Sequence, residues 1–177
     1  MSLKILLLED DQDLREELAC SLEELGYQVG AAGDGESALE MARKGPFALV
    51  VTDVRMSGLD GLEVLARLRE LQSDFVSLVI SGYASVEETL RALRLGAGDF
   101  LRKPFQRDQF VTAVQRLVLQ QQREAAQSRR LQALSELALW AGRALLRTTR
   151  PEMVGRGRQL QQYCLKLGLT EEKARQV

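Results

Sequence analysis

Three consecutive acids, Glu9, Asp10 and Asp11, stand directly after the apolar run KILLL, and a fourth, Asp53, directly follows ALVVT. Ser81 directly follows the run SLVI, and Lys103 comes just after Phe100 and Leu101, immediately before Pro104. Several carboxylates brought into one crevice repel one another and call for a counter-ion. Oxygen donors with no nitrogen or sulfur among them favour Mg2+. A lysine supplies charge to a phosphoryl oxygen, and a hydroxyl donates a hydrogen bond to another. Each residue alone is bland. Loops use Asp for caps and turns, a reading that stands level with the chemical one for Asp11 and Asp13, and a surface Lys or a turn Ser is commonly just solvated. Together, each at the end of an apolar run, they form a constellation suited to phosphoryl chemistry.

The elements that must position these residues are legible in the same stretch. Short apolar runs at 4–8, 28–32, 48–52, 77–80 and 100–101 alternate with amphipathic stretches at 12–25, 37–43, 62–71, 86–95 and 106–121. That alternation predicts βα units building a parallel sheet. Leu14, Leu18, Leu22 and Leu25 recur at helical spacing with Gly26 as a stop, and Ser85 with Glu88 makes a capping box for the fourth helix. In a doubly wound sheet, Glu9, Asp10 and Asp53 then converge at the carboxyl edge, where such folds bind ligands.

Composition narrows the chemistry further. The 177 residues contain no His, which excludes a Ser/His/Asp relay, a His–Zn site and any phosphohistidine role for this chain; with two Cys, Cys20 and Cys164, a thiolate zinc cluster is excluded as well. No run is long enough to span a membrane and no signal-peptide pattern opens the chain, so the expected compartment is the cytoplasm. Charge splits the chain in two. Residues 1–122 carry 13 Lys and Arg against 20 Asp and Glu, a balance of −7, and residues 123–177 carry 11 against 5, a balance of +6.

The second part reads as helix. Leu131, Leu134, Ala138, Ala141 and Leu145 recur at spacings of three and four, which suits a helix hairpin or a short dimeric coiled coil, and the stretch 120–130 lacks Gly and Pro, so it can continue the fifth helix. Residues 148–151 break the pattern, and a further helix is expected over 154–167 before Gly168. Thr170 with Glu171 and Glu172 opens one more helix close to the chain end, which predicts that this sequence is the front portion of a longer protein.

The runs ILLLEDDQDL, VVTDVRMSGLDGLEVL and VISGYASVEETLRALRLGAGDFLRKPF, with their spacing, resemble the receiver domain of bacterial two-component response regulators over residues 1 to about 122. The resemblance implies a flavodoxin-like (βα)5 doubly wound parallel sheet of order 2-1-3-4-5, followed here by a helical extension at 123–177. It implies that Asp53 accepts a phosphoryl group from the phosphohistidine of a partner sensor kinase. Asp10 would ligate Mg2+ directly and Glu9 through water, with Asp53 and the Arg55 carbonyl completing the protein's ligands. Ser81 matches the hydroxyl switch position and Phe100 the aromatic one, although a plain core residue is the competing reading of Phe100. Lys103 matches the position of the family's lysine, and its bond to Pro104 is expected to be cis. Once Asp53 is phosphorylated, Ser81 would move to the phosphate and Phe100 would turn inward, shifting the face made by the fourth helix, fifth strand and fifth helix.

Two departures stand out. Ser57 occupies a place where the family commonly has Pro, which is expected to loosen the loop without touching a ligand. Arg55 and Tyr83 occupy positions that modulate dephosphorylation in the family, and their bulk is expected to shield the phosphoryl group from water.

For the tail, three readings are open: a basic segment binding nucleic acid, as in a transcription regulator; a coiled-coil linker; or the opening helices of an HD-GYP phosphodiesterase, which residues from about 137 weakly resemble. Arg156 falls near the expected first His and neither signature motif is present, so no hydrolytic activity is expected. The expectation is a phosphorylation-controlled switch, not an enzyme in its own right, dimerising through the tail or the fourth and fifth helices. The alternative is a receiver-like adaptor that works without phosphorylation.

Overall fold

In the computed structural model, the described residues are 3–72, 74–82 and 85–148, with 144–148 described as backbone only. The chain divides into two compact units, Met1–Arg123 and Glu124–Val177. The first alternates β1 (Lys4–Leu8), α1 (Gln12–Glu24), β2 (Gln28–Ala32), α2 (Gly35–Lys44), β3 (Leu49–Asp53), α3 (Gly61–Leu71), β4 (Val76–Ser81), α4 (Val86–Arg94) and β5 (Asp99–Arg102), and α5 begins at Arg107 and continues to Thr148. All strand pairings are parallel and the sheet order is β2-β1-β3-β4-β5, the expected flavodoxin-like arrangement.

Why the sheet is covered on both faces follows from its residues. Side chains alternate sides along a strand, yet β1, β3 and β4 are buried at every position except Lys4 and are mostly apolar. Leu6, Leu8, Val50 and Val79 pack with Leu62, Leu65 and Leu68 of α3 on one face; Ile5, Leu7, Val51, Leu78 and Ile80 pack with Leu18 and Leu22 of α1 and Phe110, Val114 and Leu117 of α5 on the other. Near-continuous hydrophobic strands are what a buried parallel sheet requires.

Aspartates set the helix starts. Asp11, Asp34 and Asp60 cap α1, α2 and α3, accepting from the amides of Leu14, Ser37 and Glu63 at 3.0, 2.8 and 2.7 Å. That assigns Asp11 to the bland reading of the acid triplet. Ser85 and Glu88 make the expected capping box on α4. Boundaries of the other elements move by one or two residues, except that α5 runs on to Thr148. The consequential shift is at β3, which extends to include Asp53 rather than ending before it, so the acid is held by the sheet itself.

Gly61, first residue of α3, shows how tightly the site is supported. A Cβ there would fall inside the van der Waals shell of the Asp53 carbonyl and against the Thr52 hydroxyl. Backbone cannot yield as a side-chain tip can. Gly61→Ala is therefore expected to cost about 1–3 kcal/mol or more by overpacking, lowering the thermal midpoint by several degrees and displacing Asp53. A melting curve matching wild type would contradict that close approach.

In the second unit, the described residues 124–148 are helical throughout, as the absence of Gly and Pro from 120–130 predicts. Leu131, Leu134, Leu137 and Trp140 are exposed there. The break expected over 148–151 does not begin at Thr148, which is still helical; the side chain of Leu145, residues 149–151, the helix over 154–167 and the start at Thr170 lie outside the described residues. None of the described helices is long and apolar enough to cross a membrane.

Candidate phosphoacceptor site

Four of the five parallel strands, β1, β3, β4 and β5, deliver functional groups at the carboxyl edge. Just past β1, Glu9 is almost completely buried, and its amide donates to the Ala32 carbonyl of β2 at 3.2 Å. At the end of the neighbouring β3, Asp53 keeps only 6% of its surface exposed. Ser81 closes β4, one residue beyond Ile80, which is the register partner of Asp53. From the end of β5, the Lys103 amide donates to the Ser81 carbonyl at 2.8 Å, fixing the lysine beside the other two.

Lys103 is the hub. Its ammonium donates to Glu9 Oε2 at 2.8 Å and to Asp53 Oδ2 in a short contact. Burial alone would depress the lysine, but its bonds to Asp53 and Glu9 and their charges outweigh this and hold it above the usual lysine range. Glu9 is pushed above the usual carboxylate range, first by burial and also by the charge of Asp53, with Lys103 opposing.

That shift fixes the sign of a pH effect. A carboxyl whose folded value exceeds its ordinary 4.5 favours the folded state in acid, and the contribution is lost as pH rises through the raised value. In metal-free protein, the melting temperature of Glu9→Gln relative to wild type is thus expected to be more favourable at about pH 7 than at about pH 4. A difference independent of pH would show that burial does not tax this carboxylate.

Asp10 is exposed and does not touch Lys103; its Oδ2 accepts from the Ser57 amide at 2.9 Å. This corrects the expectation for Ser57, whose backbone does reach a proposed ligand. Proline at that position would have no N–H to offer, so the departure from the family pattern adds a hydrogen bond. Arg55 donates its amide to Asp53 Oδ1 at 3.0 Å, while its side chain points to Glu88, 3.3 Å away. Phe100 is half-buried against the layer that contains Val79 and Ala92, and the Lys103–Pro104 bond is cis. Tyr83 lies outside the described residues.

The Ser81 hydroxyl is fully buried and finds no hydrogen-bond partner among the described residues. Such a hydroxyl costs about 1–3 kcal/mol while unpartnered. An acceptor oxygen arriving beside Asp53 would recover that cost. Ser77, also on β4, is orphaned too but lies toward the other end of the strand.

Whether these residues suit Mg2+ is a question of donors. Among the described residues no three His, Cys, Asp or Glu side chains form a metal-holding group by themselves. The groups expected to hold it, Asp10, Asp53 and the Arg55 carbonyl, are all oxygen donors, and Lys103 and the Arg55 amide each bond one Asp53 oxygen. Mg2+ is commonly held by one or two carboxylates, with waters and phosphate oxygens supplying the rest, so the donors fit.

Arg15 was not foreseen. Its guanidinium donates to the carbonyls of Glu9 and Asp10 at 2.7 and 3.2 Å, pinning the acid pair from α1. A basic residue on the first turn after an acid cluster was the available signal.

Residues 5–115 match the family model described as the response regulator receiver domain. FixJ of Bradyrhizobium diazoefficiens is 38% identical over 124 residues, covering 70% of this chain and 60% of FixJ. MprA of Mycobacterium leprae is 40% identical over 138 residues, 77% of this chain and 60% of MprA. The chain thus spans about 60% of the length of these curated relatives. Among solved structures, the non-phosphorylated HemR receiver domain of Leptospira biflexa superposes with a TM-score of 0.63 at 32% identity, covering 66% of this chain and 94% of that one. A CheY-like receiver from Methanospirillum hungatei, at 24% identity, shares the fold with a TM-score of 0.68 over 70% of this chain and 99% of its own. With the sheet order, the buried acids and the Lys103 bridge already in place, the chain belongs to the response regulator receiver domain family.

Proposed function

We propose that this chain is a phosphorylation-controlled switch in which Asp53 takes a phosphoryl group from the phosphohistidine of a sensor histidine kinase. The observation that carries this reading is the Lys103 ammonium held between Glu9 and Asp53 at the carboxyl edge of the sheet. An Asp53 oxygen attacks phosphorus in line, forming the P–O bond of an acyl phosphate as the bond to the donor breaks and its electron pair leaves with the donor. Lys103 neutralises charge on the transferred oxygens, and positioning does most of the work. Mg2+ held by Asp10, Asp53 and the Arg55 carbonyl, with Glu9 acting through water, would add further neutralisation of the same oxygens.

The switch reading follows from the same neighbours. The orphaned Ser81 hydroxyl gains an acceptor when phosphate arrives, and Phe100, half-buried on the neighbouring β5 opposite Val79, turns into the room left behind. Phosphate can bias two states only by the difference in how they hold it. For the tail we favour a helical, dimer-forming extension through the exposed face that carries Leu134, Leu137 and Trp140. A boundary near 122/123 between phosphoacceptor domain and extension, a cytoplasmic setting, and an HD-GYP-like but hydrolytically incompetent tail belong to the same proposal. Incubation with Mg2+ and acetyl phosphate is expected to add one phosphoryl group by intact mass. The absence of an adduct would favour the phosphorylation-independent adaptor.

A further inference from the structure

Helix α4 is fastened by polar contacts more than by packing. Ala92 is its one buried residue, while Val86 and Leu93 are 76% and 62% exposed. Residues of α3 and the loop before it contact this helix and the turn after it in at least three places. Arg55 Nε donates to Glu88 Oε1 at 3.3 Å; Arg91 Nη1 donates to Asp60 Oδ2 at 2.7 Å; Arg69 Nη2 donates to the Gly96 carbonyl, just past the helix end, at 3.1 Å. Two of these are anchored elsewhere. Asp60 also caps α3, and the Arg69 guanidinium lies 3.9 Å over the Phe75 ring while donating to the Phe75 carbonyl at 2.6 Å.

Arg55 is the different one. Its main-chain amide touches the acceptor carboxylate and its side chain touches α4. No other residue in the three contacts joins the chemistry to the helix so directly.

Resting on the reading of Asp53 as phosphoacceptor, we propose that Arg55 is an anion-exchange tether. In unphosphorylated protein its guanidinium holds the N-terminal part of α4 through Glu88; after transfer it leaves Glu88 for the phosphoryl oxygens, so α4 is released as phosphate is captured. A phosphoryl group carries about −1.5 to −2 charge and offers oxygens that a guanidinium grips with two parallel bonds. Against it, Glu88 presents a single carboxylate, paired with Arg55 Nε at 3.3 Å on a side chain 63% exposed. Such pairs are weak, which suits a tether that must let go. Glu88 also accepts from the Ser85 amide at 3.0 Å, so the helix keeps its cap after the exchange. The departing guanidinium then stands over the phosphate, and release of α4 is coupled to a longer phosphoryl lifetime.

Glu88→Gln separates charge from capping, because Gln serves equally at that position of a capping box. Hydrogen exchange of the α4 amides in the full chain, with and without Mg2+ and acetyl phosphate, reads the tether. Phosphorylation of wild type is expected to raise α4 exchange about two- to fivefold, the scale set by exposed ion pairs. E88Q should show that increase without phosphate and little more with it. R55A should match E88Q before phosphorylation and lose its phosphoryl group faster than wild type, with R55K recovering part of both effects. If wild type takes up no phosphate, the phosphoacceptor reading falls and the exchange with it. If phosphate is taken up while E88Q and R55A leave α4 at the wild-type rate, or R55A keeps the wild-type lifetime, the tether alone is overturned.

Discussion

Asp53→Asn is expected to fold normally and to take up no phosphate from acetyl phosphate in the presence of Mg2+, with intact mass as the readout. The amide keeps the shape of the carboxylate but lacks the nucleophilic charge, and no neighbouring carboxylate can replace it. Glu9 is turned to Lys103 and buried, and Asp10 is held by the Ser57 amide. Stability should move the other way. The charge of Asp53 is one reason Glu9 is held above its ordinary range, so removing it relieves repulsion between two buried acids, and the metal-free variant should melt at or above wild type. An adduct in the variant would move the acceptor elsewhere, and a collapse in melting temperature would recast Asp53 as a structural residue.

Lys103→Met should damage both properties. It removes the cation from between Glu9 and Asp53, whose side chains are 2% and 8% exposed. Breaking one partner of a buried pair costs about 3–5 kcal/mol, and the lower end applies because Lys103 keeps 25% of its side chain exposed. For a chain of this size that is a fall in melting temperature on the order of 10 °C. Because the donors beside it suit Mg2+, millimolar Mg2+ should recover part of the loss. Phosphoryl transfer should drop by about 10²–10³-fold, the usual loss when a group that stabilises transition-state charge is removed, and Mg2+ should not restore it. Comparing melting curves in chelator and in Mg2+ with the rate of adduct formation separates the two roles. Full recovery of transfer by Mg2+ alone would leave Lys103 with only structural work.

Much of this architecture could be read along the chain. Alternating apolar runs and helical periodicity, the Ser85–Glu88 box and a Gly- and Pro-free stretch at 120–130 are local signals, and local signals set elements. The acids, Ser81 and Lys103 were visible at the ends of the runs for the same reason. What each side chain does there was not visible. Asp11 turned out to cap a helix, Ser57 to hold Asp10 through an amide that the family's common proline would lack, and Arg55 to face α4.

The deciding contacts join residues far apart in sequence. Lys103 meets Glu9 across 94 positions and Asp53 across 50, and Arg55 meets Glu88 across 33. Parallel register and the order β2-β1-β3-β4-β5 bring those pairs together, and neither is encoded by any short stretch. The amino-acid order thus specified which groups this protein carries and which strands present them. Only the folded sheet decided which carboxylates share the ammonium, which hydroxyl is left without a partner and which arginine reaches the helix, because burial and pairing are properties of neighbours in space.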